Sequence, residues 1–520
     1  MYKKEDYVFW KLAELFIVQA GYRIVKLFPN QQELWLEKKE NKKTPIVRLL
    51  RSDISWSNWM VRDIETTALT GSRIRRQMNL RRLPLVNIYI SEYPPVDDYA
   101  TMAEEPFILR DRMSETLVHS ILFAEDTYKD AEQKLAYLTV LKDLDFLHTL
   151  DYSQEAIEEV KRKTLEHARR ETEKEQAIFK AGKPFFTYIF MAIQIAVFLI
   201  LELNGGSTNP STLLKFGAKF NPLILNGEWW RFFTPIFLHI GLLHLAMNTF
   251  GLYFVGTAVE RMMGSARFLF VYLFAGFGGS LASFLFSHEL SAGASGAIFG
   301  CLGALLYFGL VFPRLFYRTM GPTVLFIIVL NLAFGFSVSM VDNAGHIGGL
   351  AAGFLAAGIV HFPKKKRPVM QIAFAAASIL IVGLLLQHGF QKALGPKDER
   401  SVILLAEEYI NQENIDKAYE ILKAFETNSS VTEKTYFMLS FTEIKKGMLP
   451  EAKLHLQKAI ELDPEFPEAH YNLALIYLEE ENLELAGKHA EKAAAIKPGR
   501  DEYKNLVAEI KKAIKKNPRR

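Results

Sequence analysis

Two short runs decide how this chain is read: Gly293-Ala294-Ser295-Gly296 and Gly345-His346-Ile347-Gly348-Gly349. Each opens an apolar stretch of the length, about 17–25 residues, that a bilayer-crossing helix needs. A hydroxyl or an imidazole at membrane depth is costly without a partner, so such residues inside a span point to chemistry. Brought together, a serine and a histidine make a nucleophile and its general base. A serine at the start of a helix also has free backbone N–H groups beside it, suited to holding developing negative charge.

The glycines around the pair explain how the two stretches meet. Gly345, Gly349 and Gly353 recur every four residues, and Gly296, Gly300 and Gly303 give the facing segment a matching smooth side. Small residues at that spacing let membrane helices approach closely, near enough for Ser295 to reach His346. A third apolar segment carries His239, His244 and Asn248. His244 and Asn248, four apart, are expected on one helix face. Imidazole and amide donors aimed at one spot suit an oxyanion site, where a single donor is worth about 3–4 kcal/mol. Three histidines are also a possible zinc set. However, the His-Glu-x-x-His pattern is missing and 236–256 holds no Asp or Glu, so no metal is expected.

Apolar residues crowd into 185–388 of the 520-residue chain, and charge crowds into both flanks. Seven segments read as membrane helices, near 185–203, 236–256, 267–288, 294–312, 322–340, 344–361 and 369–388. Lys180, Lys183, Arg261, Arg267, Arg314, Arg318 and the run Lys364-Lys365-Lys366-Arg367 all fall on one side of the membrane. The positive-inside rule makes that side the cytoplasm. The turns that open the Ser295 and His346 helices then face outside, as does the C-terminal region. A net charge of +4 gives no argument for nucleic acid, and the single cysteine, Cys301, excludes a disulfide framework or a thiolate metal site. Met1–Lys11 is polar and aromatic without an apolar segment, so no signal peptide is expected there. A transporter reading lacks the paired broken helices and buried carboxylates that coupling requires.

The flanks read as two soluble domains. In 1–178 a helix (about 5–20) precedes strands near Tyr22–Phe28, Glu33–Glu37 and Pro45–Arg51, a helix over 56–78 and a strand at Leu85–Ile90. Helix is expected after Ser114, ending in the charged run Glu155–Lys180. This order has a distant likeness to restriction-endonuclease cores, but only Glu37 and Lys39 suggest their carboxylate–lysine pattern, so no nuclease is expected. The acidic stretch Glu92, Asp97, Asp98, Glu104, Glu105 reads as a solvated loop rather than a cation site. Toward the C-terminus Ala418, Ala452 and Ala486 are equally spaced, as are Leu405, Leu439 and Leu473, and Pro464 and Pro498 share the period. This pattern resembles tetratricopeptide (TPR) repeats, with three units near 397–498 and a capping helix to about 515. The first unit is degenerate, with Ser430 in place of the closing proline and Phe425 in place of an alanine.

Taken together, Trp230-Arg231, His244-x-x-x-Asn248, Gly293-x-Ser295-Gly296 and His346-x-x-Gly349-x-x-x-Gly353 resemble the rhomboid intramembrane serine proteases, over about 185–365. The resemblance implies a Ser295–His346 dyad without an essential acid. It implies an oxyanion site from His244, Asn248 and the Ser295 N–H, and Phe299 supporting the histidine ring. Gly293, Gly296, His239, Trp230 and Arg231 would play supporting parts, and Asp342 would cap its helix. The expected architecture is a multi-domain membrane protein. An α/β domain (1–178) precedes a six-helix rhomboid core (179–365), a seventh membrane helix (366–390) and an α-helical TPR solenoid (391–520). A bacterial rhomboid subgroup with C-terminal TPR repeats shares this plan. The implied activity is endoproteolysis of transmembrane proteins near the outer face of the plasma membrane, with no cofactor. The solenoid and the N-terminal domain would bind protein partners. The competing class is a rhomboid-like adaptor that holds clients without cutting them, but such relatives typically lose the serine or the histidine.

Overall fold

The computed structural model describes residues 4–139, 141, 144, 153–338, 341–363, 367–392, 399–427 and 431–516. The basic run 364–366 and Ser430 lie outside the described residues. Two compact units divide the chain, Met1–Phe179 and Lys180–Arg520.

The first unit is a six-stranded sheet, β1 (Arg23–Leu27), β2 (Glu33–Glu37), β3 (Ile46–Arg51), β4 (Arg82–Ile90), β5 (Phe107–Asp111) and β6 (Ser114–Phe123), ordered β1-β2-β3-β4-β6-β5. β3, β4 and β6 run parallel in its centre, and antiparallel strands close both edges. Central parallel strands are covered on both faces, so they read as unbroken apolar runs. Val47, Leu49, Val86 and Ile88 face the helices α1 (Lys4–Glu14) and α3 (Gln154–Phe179), whereas Ile46, Leu85 and Tyr89 share a core with α2 (Ser57–Gln77). The helix expected just after Ser114 is instead strand β6. Its aliphatic and β-branched run Thr116-Leu-Val-His-Ser-Ile-Leu-Phe123 pairs along the whole of β4, and burial in the sheet overrides any local helical preference.

Under α2 the apolar layer is interrupted by a charged cluster. Arg48 donates to Glu33 (2.7 Å) and to both carboxylate oxygens of Asp63 (2.6 and 3.1 Å), and Tyr89 donates to Asp63 (2.7 Å). A buried ion pair stands only when its remaining bonding capacity is met, as it is here. In the acidic stretch, Asp97 accepts from the Ser57 N–H and hydroxyl (both 2.6 Å) and so caps α2. Among the described residues no group of three or more His, Cys, Asp or Glu is placed to hold a metal.

The second unit opens with the apolar helices α4 (Phe186–Leu203), α5 (Leu242–Met263), α6 (Ser265–Phe286), α7 (Ser295–Val311), α8 (Gly321–Ser337), α9 (Asn343–Val360) and α10 (Pro368–Lys392). Five are long and apolar enough to cross a membrane alone. α8 forms a bent pair with Pro313–Thr319, and α7 is shorter. α5 begins six residues later than its apolar pattern suggests. Thr234–Phe237 makes a 3-10 turn around Pro235, and Gly241 at φ +79° cannot continue a helix. A π-turn at Leu252–Gly256 widens the middle of α5.

Glycine seams set the packing of α6, α7 and α9. A Cβ on Gly349 would collide with the Gly296 carbonyl, one on Gly353 with Gly300, and one on Gly303 with the Leu350 carbonyl. Gly279 lies in the same seam, where a Cβ would stand 2.8 Å from the Gly345 carbonyl oxygen. At the far end of the bundle Glu260 accepts from the N–H groups of Phe185, Phe186 and Thr187 (each 2.9 Å) and so caps α4.

The chain then forms three helix pairs, α11 (Glu399–Asn411) with α12 (Ile415–Phe425), α13 (Glu433–Lys445) with α14 (Leu449–Leu462), and α15 (Pro467–Glu479) with α16 (Leu483–Ile496), followed by α17 (Asp501–Lys516). The periodic alanines Ala418, Ala452 and Ala486 are fully buried where paired helices touch. Phe390, near the end of α10, packs on Phe284 near the end of α6 at 5.5 Å between ring centroids. The solenoid therefore leaves the bundle at the end where Ser295 lies.

Candidate active site

Ser295 is the first residue of α7, and His346 lies in the first turn of α9. The glycine seam brings these two helix starts together, with Ser295 Oγ 2.8 Å from His346 Nε2. Phe299, one turn after the serine, lies flat on the imidazole, with centroids 4.3 Å apart and planes 8° from parallel. The Asp342 carboxylate accepts from the Gly345 N–H (2.9 Å) as the cap of α9. His346 Nδ1 has no protein partner among the described residues. The pair is oriented by stacking and burial rather than by an acid.

Gly293 is at φ +138°, a conformation open to glycine alone. A side chain there would also lie 2.7 Å from His244 Cε1 and 2.9 Å from His244 Nε2. The imidazole of His244 therefore borders the space directly before the serine. The Ile240 N–H donates to His244 Nδ1 (3.3 Å), which makes Nδ1 the acceptor and leaves the proton on Nε2. That nitrogen is on the edge of the ring that faces Gly293. Asn248, one turn further along α5, donates one amide hydrogen to the His244 carbonyl (2.9 Å) and keeps a second.

His239 is not on α5 with the other two. It lies in the loop before Gly241, fully buried, with its ring edge-on to His244 at 5.4 Å. The apolar content of 236–241 hid this break, and Gly241 was the signal that could have revealed it. Trp230 and Arg231 are not brought to Ser295. Arg231 is buried in the segment between α4 and α5, where it donates to the carbonyls of Leu214 (2.8 Å) and Ala218 (2.9 Å) and pairs with Glu228 (2.6 Å). Trp230 is exposed beside Trp229, as aromatic side chains at a membrane interface are.

Sequence reasoning missed the parts that hold the serine loop. Lys219 is fully buried, and its ammonium donates to the carbonyls of Ser287 (2.7 Å) and Glu289 (3.1 Å). Its backbone exchanges hydrogen bonds with Ser291 (2.8 and 3.0 Å). Asn221 donates to the carbonyls of Phe284 and Ser287, closing the end of α6, and the Gly293 N–H donates to Pro235 O (2.9 Å). A lone lysine in an apolar segment carries no spacing that would single it out.

Residues 226–363 match the Rhomboid domain, and residues 442–480 and 467–500 match TPR models. The chain is 39% identical over 484 residues to "Rhomboid protease GluP" of Bacillus subtilis (strain 168), covering 91% of this chain and 92% of the relative. The chain thus belongs to the rhomboid family of intramembrane serine proteases, in a form that carries a C-terminal TPR solenoid. It is also 32% identical over 186 residues to "Putative rhomboid protease YdcA" of the same organism (35% of this chain, 92% of the relative). With "RHOMBOID-like protein 1" of Arabidopsis thaliana it shares 42% identity over 148 residues (28% of this chain, 38% of the relative).

Proposed function

We propose that Ser295 and His346 form the catalytic dyad of this protease, and the 2.8 Å approach of Ser295 Oγ to His346 Nε2 carries the reading. His346 Nε2 accepts the hydroxyl proton as Ser295 Oγ attacks the scissile carbonyl, and returns it to the leaving amine. The tetrahedral oxygen is held by His244 Nε2–H, the free Asn248 amide hydrogen and the Ser295 N–H at the start of α7. These donors are fixed before charge develops, the condition under which such stabilisation is largest. With no carboxylate among the described residues on Nδ1, Phe299 is the group that fixes the ring.

Substrates are transmembrane proteins, cut near the extracytoplasmic face at small residues beside helix-destabilising sequence. The basic end of the bundle lies in the cytoplasm of a bacterial plasma membrane, with the solenoid outside. Membrane-protein quality control is the setting that two appended domains suit, with the solenoid and the N-terminal domain recruiting protein partners. Ser295→Ala in proteoliposomes with a transmembrane substrate tests the chemistry. Cleavage is expected to stop while binding persists; products formed by that variant would end the assignment. Removal of residues 1–178 tests the recruiting role, with altered turnover or substrate binding expected.

A further inference from the structure

Between α4 and α5, the segment 204–235 packs on the solenoid as well as on the serine loop. Its Leu214, Phe220 and Leu223 share one buried cluster with Val402, Leu405, Ala406 and Tyr409 of α11. Asn226 donates to the Tyr409 hydroxyl (2.6 Å), and Ser211 donates to Glu407 (3.2 Å). Leu290, five residues before Ser295, packs against the same cluster, and Arg400 of α11 lies 3.6 Å from Glu289. The serine loop 287–293 therefore touches the solenoid directly. It is also gripped by Lys219, the immediate neighbour of Phe220, through two side-chain and two backbone hydrogen bonds.

A terminal unit of a helical repeat array normally presents a polar capping face to water. Here the N-terminal face of the first repeat is apolar and is covered by the membrane domain instead. The cap of the solenoid and the buttress of the serine loop are the same surface.

We propose that the first helical repeat is a positioning element of the protease. Docked on 204–235 and Leu290, it holds the serine loop, together with Lys219, at the height that sets Ser295 against His346. Lys219 and Leu405 are positioning residues in this account, since neither touches the reacting atoms. The inference rests on the Ser295–His346 reading and deepens it, because it makes the solenoid part of the chemistry rather than a recruiting arm alone.

The test uses the full chain in liposomes and the first-order rate at which a small fluorophosphonate labels Ser295. That rate constant does not depend on how much of a preparation is folded, and the probe is too small to need a docking site on the solenoid. Leu405→Ala/Tyr409→Ala, which trims the docking face, is expected to lower the labelling rate and kcat together by about tenfold, with KM within about twofold, because small misplacements of reacting groups act on the chemical step. Lys219→Met is expected to do the same, and Lys219→Arg, which keeps donors for the two carbonyls, to recover most of the loss. A raised KM with an unchanged labelling rate would show that the solenoid only recruits substrate and would overturn the proposal, as would a native labelling rate in both the trimmed and the Lys219→Met proteins. If the native chain is not labelled, or Ser295→Ala is labelled equally, the dyad itself is wrong and the positioning role falls with it.

Discussion

Phe299 illustrates how much at this site rests on single side chains. With no acid among the described residues on His346 Nδ1, the flat stack at 4.3 Å is the main restraint on the ring. An aromatic pair of this kind is worth about 0.5–1.5 kcal/mol beyond its area. Phe299→Ala is therefore expected to lower kcat by about three- to tenfold at constant KM, whereas Phe299→Tyr retains the stack and most of the rate; steady-state cleavage in detergent distinguishes them. Gly293→Ala is expected to be far more damaging. It strains a φ of +138° and drives a methyl group to 2.7 Å from the His244 ring. Its labelling rate should fall by at least as much as that of His244→Ala, for which the loss of one proposed oxyanion donor predicts about 10²–10³ in kcat.

At the level of elements, the glycine seam between α7 and α9 controls the distance between Ser295 and His346. Gly349→Ala places a methyl group against the Gly296 carbonyl and parts the two helices at the reacting end. Overpacking of this sort costs about 1–3 kcal/mol, so both the melting temperature and the labelling rate are expected to fall. Gly383→Ala in α10 meets nothing within 4 Å and should change neither. Such seams were legible in the sequence because small residues at a four-residue period have few other causes in an apolar helix. The start of α5 was not, because 236–241 is as apolar as the helix it precedes and only Gly241 marks the break. Strand β6 was lost for a related reason: its place beside β4 comes from a pairing that no local pattern records. The docking of α11 is the hardest case. Leu214, Phe220, Leu405 and Leu290 are ordinary apolar residues in four separate segments, and no spacing along the chain links them.

For the whole molecule, the solenoid carries the clearest response to pH. Burial, with the neighbouring His470 only 2.9 Å away, lowers the His489 pKa from 6.5 to about 4. The unfolded chain thus takes up a proton between those values that the folded one refuses, and stability falls as pH drops from about 6.5 toward 4. Glu426 adds to this lower down. Burial alone would raise its pKa, but Lys423, Lys458 and His455 outweigh that and hold it at about 2 instead of 4.5. Its contribution is present above pH 4.5 and is lost as pH falls toward 2. Helix melting followed at 222 nm across pH 7 to 4 should show the solenoid losing stability steadily, and His489→Gln should flatten the upper part of that decline. If the first repeat buttresses the serine loop, protease activity in the same pH series should fall before the membrane helices melt.

The shared core of α11 and the 204–235 segment also bears on how modular this chain is. A boundary after α10 looks natural from the repeat pattern, since the period and the membrane segments never overlap. Cut there, however, the remaining protein would bare Leu214, Phe220, Leu223 and Leu290 as one apolar patch beside the loop that leads into Ser295. Such a patch favours self-association. Transplanting the solenoid onto another membrane protein would fail for the mirror reason, because its first repeat would arrive without a lid. The two parts can be named separately, but neither is a finished surface without the other.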